Sequence, residues 1–298
     1  MAVSKPPHGT HRTASSTSTP QRTRATFGYY RRHKLEFAHV NAYTTSVIIG
    51  SVPYLNARPL VDWLEREAPP GITLTYAVPA ALIRKVLDGK VDVAMASTFA
   101  TLEHPELQLL PGLGVTTTGA AWSVRLLSRV PVTEIHTLAL DACSRSTTAM
   151  ARIILADRYG VTPQCLDLPP DRDAMLAQAD AAVLIGDIGL TMNGEELLDI
   201  DLGAEWHALT GLPFYFAGWV ARNPSALEFL APYLFEALEQ GLARLPAIAA
   251  EEANRLRIPV ERCYAYLADI MRYHAGEAEM AGLEEFRRRA ARLGLLGE

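Results

Sequence analysis

Residues 46–67 read SVIIGSVPYLNARPLVDWLERE. Val47, Ile48 and Ile49 spell a short buried strand, Gly50 a tight turn, and Tyr54 and Asn56 sit in a polar segment ahead of a helix. Pro59 suits the first helical turn, where its missing N–H would have had no partner. Leu60, Val61, Trp63 and Leu64 then form the apolar side of that helix. A strand that ends in polar residues at a helix N-terminus is where open α/β sheets bind ligands. The free N–H groups of such a helix end also favour an anion.

The unit recurs. GITLTYA alternates as a strand over residues 72–76, and PAALIRKVLDG is a helix closed by Gly89. In KVDVAMASTFA a strand with Val91, Val93 and Met95 leads to Ser97 and Thr98, which open a further helix. Residues 109–128, LLPGLGVTTTGAAWSVRLLS, read as extended chain crossing to a second lobe near residues 117–123. Gly112 and Gly114 do not make a dinucleotide loop: the third glycine of GxGxxG is replaced by Thr117, and no helix signal follows. From His136 the plan starts again, with HTLALD as strand, ACSRSTT as polar turn and TAMARIILADRYG as helix. LIRKVLDGKVDVAMAS and AMLAQADAAVLIGD both run amphipathic helix, acidic loop, buried strand, polar tip. Phe214, Phe216, Trp219 and Val220 mark a strand returning to the first lobe, and from Ser225 onward the spacing is helical and assigned to packing. Two facing α/β lobes make a cleft lined by strand ends and helix starts. The boundaries expected are residues 46–117 plus 224–298 for the first lobe and 118–223 for the second.

Composition narrows the function. The chain has 298 residues, is 49% hydrophobic and carries a formal net charge of −5, so it has no global basic field for nucleic acid. Its three cysteines stand far apart, without the ligand spacing of a zinc site, and scattered thiols suit a reducing cytoplasm. No apolar run approaches the roughly 20 residues of a membrane helix. Residues 1–45, rich in Ser, Thr, Pro and Arg, read as a disordered tail: either an over-extended start or a basic arm.

Two lobes, two crossovers and a helical tail resemble the periplasmic-binding-protein type II fold. VPYLNARPL, ALDACSRSTTAMARIIL, DAAVLIGD and DLGAEWHALTGLPFYFAGW, in that order, resemble the chorismate dehydratases of the futalosine route to menaquinone. The similarity covers residues 46–298. It implies a cofactor-free hydro-lyase that removes water from chorismate to give 3-(1-carboxyvinyloxy)benzoate. One departure stands out: where that family has Ser-x-Thr-Ser, this chain has Ser144-Arg145-Ser146-Thr147, with the hydroxyl residues exchanged. A solute-binding protein for a small carboxylate, and the related 1,4-dihydroxy-6-naphthoate synthase, are the alternatives on the same fold.

A substrate with two carboxylates and a ring hydroxyl calls for donors more than acids. Ser144, Arg145, Ser146 and Thr147 supply hydroxyls, a guanidinium and helix N–H groups to a carboxylate, or plain N-capping. Ser97 and Thr98 are the equivalent pair in the first lobe. Asn56 orients the substrate, since an amide donates and accepts without taking charge; alternatively it bonds its own turn. Ser123, at the crossover, matches a family position facing the cleft and joins Asn56 as a catalytic candidate. Tyr54 stacks on the ring or packs. Gly186 and Asp187 end the strand of the second lobe; Asp187 binds the ring hydroxyl, acts as base, or caps the following helix. Trp206, Phe214 and Trp219 read as hinge and core, and His207 as structural. With no strong base in the motifs, the expected chemistry is substrate-assisted, the enolpyruvyl carboxylate taking the ring C3 proton while Asn56 and Ser123 hold the leaving hydroxyl.

Overall fold

The computed structural model describes residues 46–141 and 144–296; the expected tail lies outside them. Strand β1 (Val47–Ser51) runs straight through Gly50, where a turn was expected. The glycine serves packing instead, because a Cβ there would lie 2.7 Å from Leu82 Cδ2. A 3₁₀ turn (Leu55–Ala57) carrying Asn56 then leads into helix α1 (Arg58–Glu67). β2 (Ile72–Tyr76), α2 (Pro79–Leu87), β3 (Val93–Ser97), a four-residue α3 (Ala100–Glu103) and β4 (Gln108–Thr117) complete the first pass.

The second lobe holds β5 (Val124–Ser128), β6 (Thr137–Asp141), α4 (Arg145–Tyr159), β7 (Gln164–Leu168) and α5 (Arg172–Leu176). It continues through β8 (Ala181–Ile185), α6 (Gly186–Thr191), β9 (Leu198–Asp201) and α7 (Leu202–Thr210). The chain returns in β10 (Phe214–Ala221) and proceeds through α8 (Pro224–Ala243), α9 (Leu245–Leu256) and α10 (Val260–Ala265). A π-helical turn (Tyr266–Ile270), strand β11 (Arg272–Ala275) and helix α11 (Glu277–Arg292) follow.

The two sheets share one plan. Their orders are β11-β4-β10-β3-β1-β2 and β7-β6-β8-β5-β9. In each, the first strand of the unit lies parallel between two others, and an antiparallel strand flanks the third. The shared acidic loop has a shared task. Asp92 accepts the Ile48 N–H at 2.7 Å, and Asp180 accepts those of His136 and Thr137 at 3.0 and 2.8 Å. Each carboxylate thus pins the start of the strand that lies between two parallel partners, and the Thr137 hydroxyl, with these backbone N–H groups, holds Asp180 below the usual aspartate range.

Three boundaries differ from the sequence reading. β10 pairs with β3 and β4, so the return to the first sheet falls at residue 214, ten residues before the expected 224. The run expected to be helical after residue 225 contains β11, whose Tyr273 and Ala275 are buried while Arg272 and His274 are exposed, the period of a strand against β4. The polar stretch at residues 144–147 is already the start of α4. Gly112 and Gly114 lie inside β4, and Gly114 leaves room for the Tyr215 ring.

Trp206, Phe214 and Trp219 are core side chains, as expected. Helix α11 reaches across the lobes: its Phe286 packs edge-to-face against Trp206 of the second lobe and Phe214 of the first, with ring centroids 5.8 and 5.0 Å away. Helices α1 and α8 meet at Gly241, where an added Cβ would lie 1.9 Å from the Pro59 carbonyl oxygen. Alanine would gain about 1 kcal/mol in helix propensity. The clash involves backbone on both sides and outweighs that gain, so Gly241→Ala should lower the unfolding free energy by at least about 1 kcal/mol in a urea titration.

Candidate active site

The ends of β1 and β3 in the first lobe face those of β6 and β8 in the second, at the two points where strand order reverses. A cavity of about 720 Å³, counting its open mouth, lies between them. Tyr54, Asn56 and Ser97 line it from the first lobe; Ser123 lines it from the crossover. Ser144, Arg145, Ser146, Thr147 and Gly186 line it from the second lobe. Apolar walls come from side chains such as Met95, Val115, Ile185, Phe216 and Met271. No carboxylate, histidine or lysine is among its described lining residues.

The second-lobe turn presents hydrogen-bond donors to the cavity. Ser144 is the N-cap of the fifteen-residue α4 but makes no side-chain cap bond. Ser144, Ser146 and Thr147 are all buried, and the N–H groups of the helix's first turn have no intrahelical acceptor. Arg145 forms an ion pair with Glu103, a residue of the first lobe, across the mouth. In the first lobe Ser97 lines the cavity and also accepts the Phe99 N–H at 3.2 Å. The Tyr54 ring lies against Gly186, about 3.4 Å from where a Cβ would stand. Gly186 has φ +60, so the position favours glycine for its backbone as well as for this contact.

Two expected residues do not line the cavity. Thr98 is fully buried, and its hydroxyl donates to the Tyr215 carbonyl at 2.5 Å, tying β3 to β10. Asp187 neither faces the cavity nor caps α6. One of its oxygens accepts the Leu55 N–H at 2.8 Å and the other accepts from Arg255 at 2.7 Å. Arg255 is held in turn by Glu252. The carboxylate therefore fastens the second lobe to the turn that carries Tyr54 and Asn56.

Sequence reasoning missed Tyr266. Its hydroxyl donates to Ser123 Oγ at 2.8 Å. Burial pushes that hydroxyl well above the ordinary tyrosine range, so it stays neutral. Asp201 was missed too. It accepts the N–H groups of Ala121, Trp122 and Ala204 at 2.7–3.0 Å, and Trp122 stands at φ +58 beside Ser123. The partner of Tyr266 lies 143 positions away; local spacing offers Asp201 only as a helix N-cap three residues before Ala204, since Ala121 and Trp122 are about 80 positions away.

Two α/β lobes with facing strand ends, joined by two crossovers, define the periplasmic-binding-protein fold. Solved structures agree. A protein from Archaeoglobus fulgidus superposes with TM-score 0.69 at 16% identity, over 86% of this chain and 100% of its own. The periplasmic aliphatic sulphonate binding protein from Escherichia coli gives 0.60 at 16% identity, over 85% and 88%. Within that fold, residues 47–292 match the family described as menaquinone biosynthesis, and the chain belongs to it. A chorismate dehydratase from Thermus thermophilus is 32% identical over 257 residues, 80% of this chain and 93% of that relative.

Removing the Asp201 carboxylate strips three backbone N–H groups of their acceptor. Hydrogen bonds to a charged group contribute roughly 1.5–3 kcal/mol each, not additively, so Asp201→Ala should cost about 2 kcal/mol or more, read by chemical denaturation.

Proposed function

We propose that this chain is a chorismate dehydratase, removing the C3 proton and C4 hydroxyl of chorismate as water to leave 3-(1-carboxyvinyloxy)benzoate. One observation carries the reading beyond the family relationship: the cavity presents neutral donors, a helix N-terminus and one guanidinium, with no acid among its described lining residues. A dicarboxylate enters such a site without meeting like charge. The turn at residues 144–147 takes one carboxylate, with Arg145 alongside, and Tyr54 packs on the ring.

Formation of an aromatic ring favours the elimination, so the protein's task is orientation. The enolpyruvyl carboxylate, stripped of water between the lobes, takes the C3 proton. The C3–H electron pair forms the last ring double bond as the C4–O bond breaks, and the proton leaves with the hydroxyl as water. Asn56 and Ser123 hold the leaving oxygen. We place the reaction in the cytoplasm, a location supported by the free thiols of Cys165 and Cys263.

Incubation with chorismate, followed by chromatography, should yield the aromatic product; chorismate bound without product would mark a binding protein instead. Asn56→Ala should lower kcat by about 10²-fold, the size of effect expected for a positioned polar group in the transition state. Full turnover by that variant would remove Asn56 from the mechanism.

Asp187→Asn keeps an acceptor for the Leu55 N–H and should retain kcat within about tenfold, whereas loss of a general base costs about 10²–10⁴-fold. In the wild type and in this variant kcat should be level from about pH 6 to pH 9, since a substrate carboxylate stays ionised and a raised tyrosine stays neutral across that span. A sloping limb near neutrality would indicate a protein base.

A further inference from the structure

We infer that Tyr266 is a positioning residue that aims the Ser123 hydroxyl proton into the cavity. The inference rests on the dehydratase reading and adds a residue to it.

Three segments far apart in the chain meet here. Asn56 comes from the turn after β1, Ser123 from the crossover, and Tyr266 from the π-helical turn after α10. A phenol has one proton and an oxygen that accepts. Tyr266 gives its proton to Ser123 Oγ at 2.8 Å. Ser123 Oγ is occupied as an acceptor on the Tyr266 side. Its own proton therefore points elsewhere, and the space Ser123 lines is the cavity. Asn56 lines the same space. The bond from the buried phenol polarises the serine hydroxyl.

Packing alone does not account for the hydroxyl. Tyr266 is 1% exposed, within an apolar core cluster where phenylalanine would fill the volume. The backbone reaches this position through a widened turn, closed by the Met271 N–H on the Tyr266 carbonyl at 3.0 Å. Such π turns are uncommon and recur at functional sites. This one delivers Tyr266 behind the cavity and Met271 into its wall. The elimination needs a donor at the departing C4 hydroxyl, and a serine already accepting from a neutral phenol is a stronger donor than one free to rotate.

The test uses the full chain with chorismate. Tyr266→Phe should lower kcat about tenfold and leave KM within about threefold, less than the 10²–10³ lost when a direct donor is removed. In a Ser123→Ala background the same change should alter kcat by less than about twofold, because the effect passes through Ser123. Unchanged kcat in Tyr266→Phe, or a loss that multiplies fully with that of Ser123→Ala, overturns the inference. Should Tyr266→Phe fail to fold, 3-fluorotyrosine at position 266 keeps the shape and acidifies the hydroxyl. A kcat shift that vanishes in Ser123→Ala supports the role, and an unchanged kcat overturns it. Absence of aromatic product from the wild type overturns the dehydratase reading and this inference together; with the wild type active, the Tyr266 variants alone decide.

Discussion

A single carboxylate fixes the point at which the two lobes face each other. Asp201 takes the N–H groups of Ala121 and Trp122 on the crossover and that of Ala204 in α7. Trp122 is held in the left-handed region, at a cost of about 1–2 kcal/mol for a residue with a side chain. Several charge-assisted bonds outweigh that cost. The reversal at Trp122 turns the next residue, Ser123, toward Tyr266 and the cavity. Gly203 belongs to the same device, because a Cβ there would lie 2.6 Å from the Gly119 carbonyl oxygen. Without the reversal, the serine would not meet both the phenol and the cavity.

The lobes are fastened at several places of unequal worth. In both ion pairs the carboxylate is mostly buried and the guanidinium is not: Glu103 is 11% and Arg145 62% exposed, Asp187 17% and Arg255 46%. Asp187 has a second partner in the Leu55 N–H. The aromatic contact of Phe286 with Trp206 and Phe214 is buried throughout. Burial and direct bonding thus set the spacing of the lobes.

What could be read in the sequence was what is local. The hydroxyl turn at residues 144–147 lies in consecutive positions, and it meets Asn56 at one cavity. The repeated plan was legible because each copy carries its own strand, helix and acidic loop, and Asp92 and Asp180 now have a reason to recur. What failed was long-range. Asp187 looks like a strand-end ligand until Arg255 and the Leu55 N–H, 68 and 132 positions away, claim its two oxygens. Thr98 beside Ser97 looks equivalent to it, yet alternation along the chain turns its hydroxyl to Tyr215. β11 is four residues long, too short for its period of two to stand out from the flanking helices.

Holding Asp187 away from the cavity has a consequence for binding. An ionised carboxylate about 4 Å from a substrate carboxylate repels it by roughly 4 kcal/mol at the effective dielectric of such sites, nearly a thousandfold in affinity. Arg255 and the Leu55 N–H spend the Asp187 charge on joining the lobes, so this acid works for the architecture and not against the ligand. The polar groups left to line the space are an amide, hydroxyls and one guanidinium. Among the described lining residues none is a carboxylate, histidine or lysine, which is the condition the proposed self-assisted elimination requires.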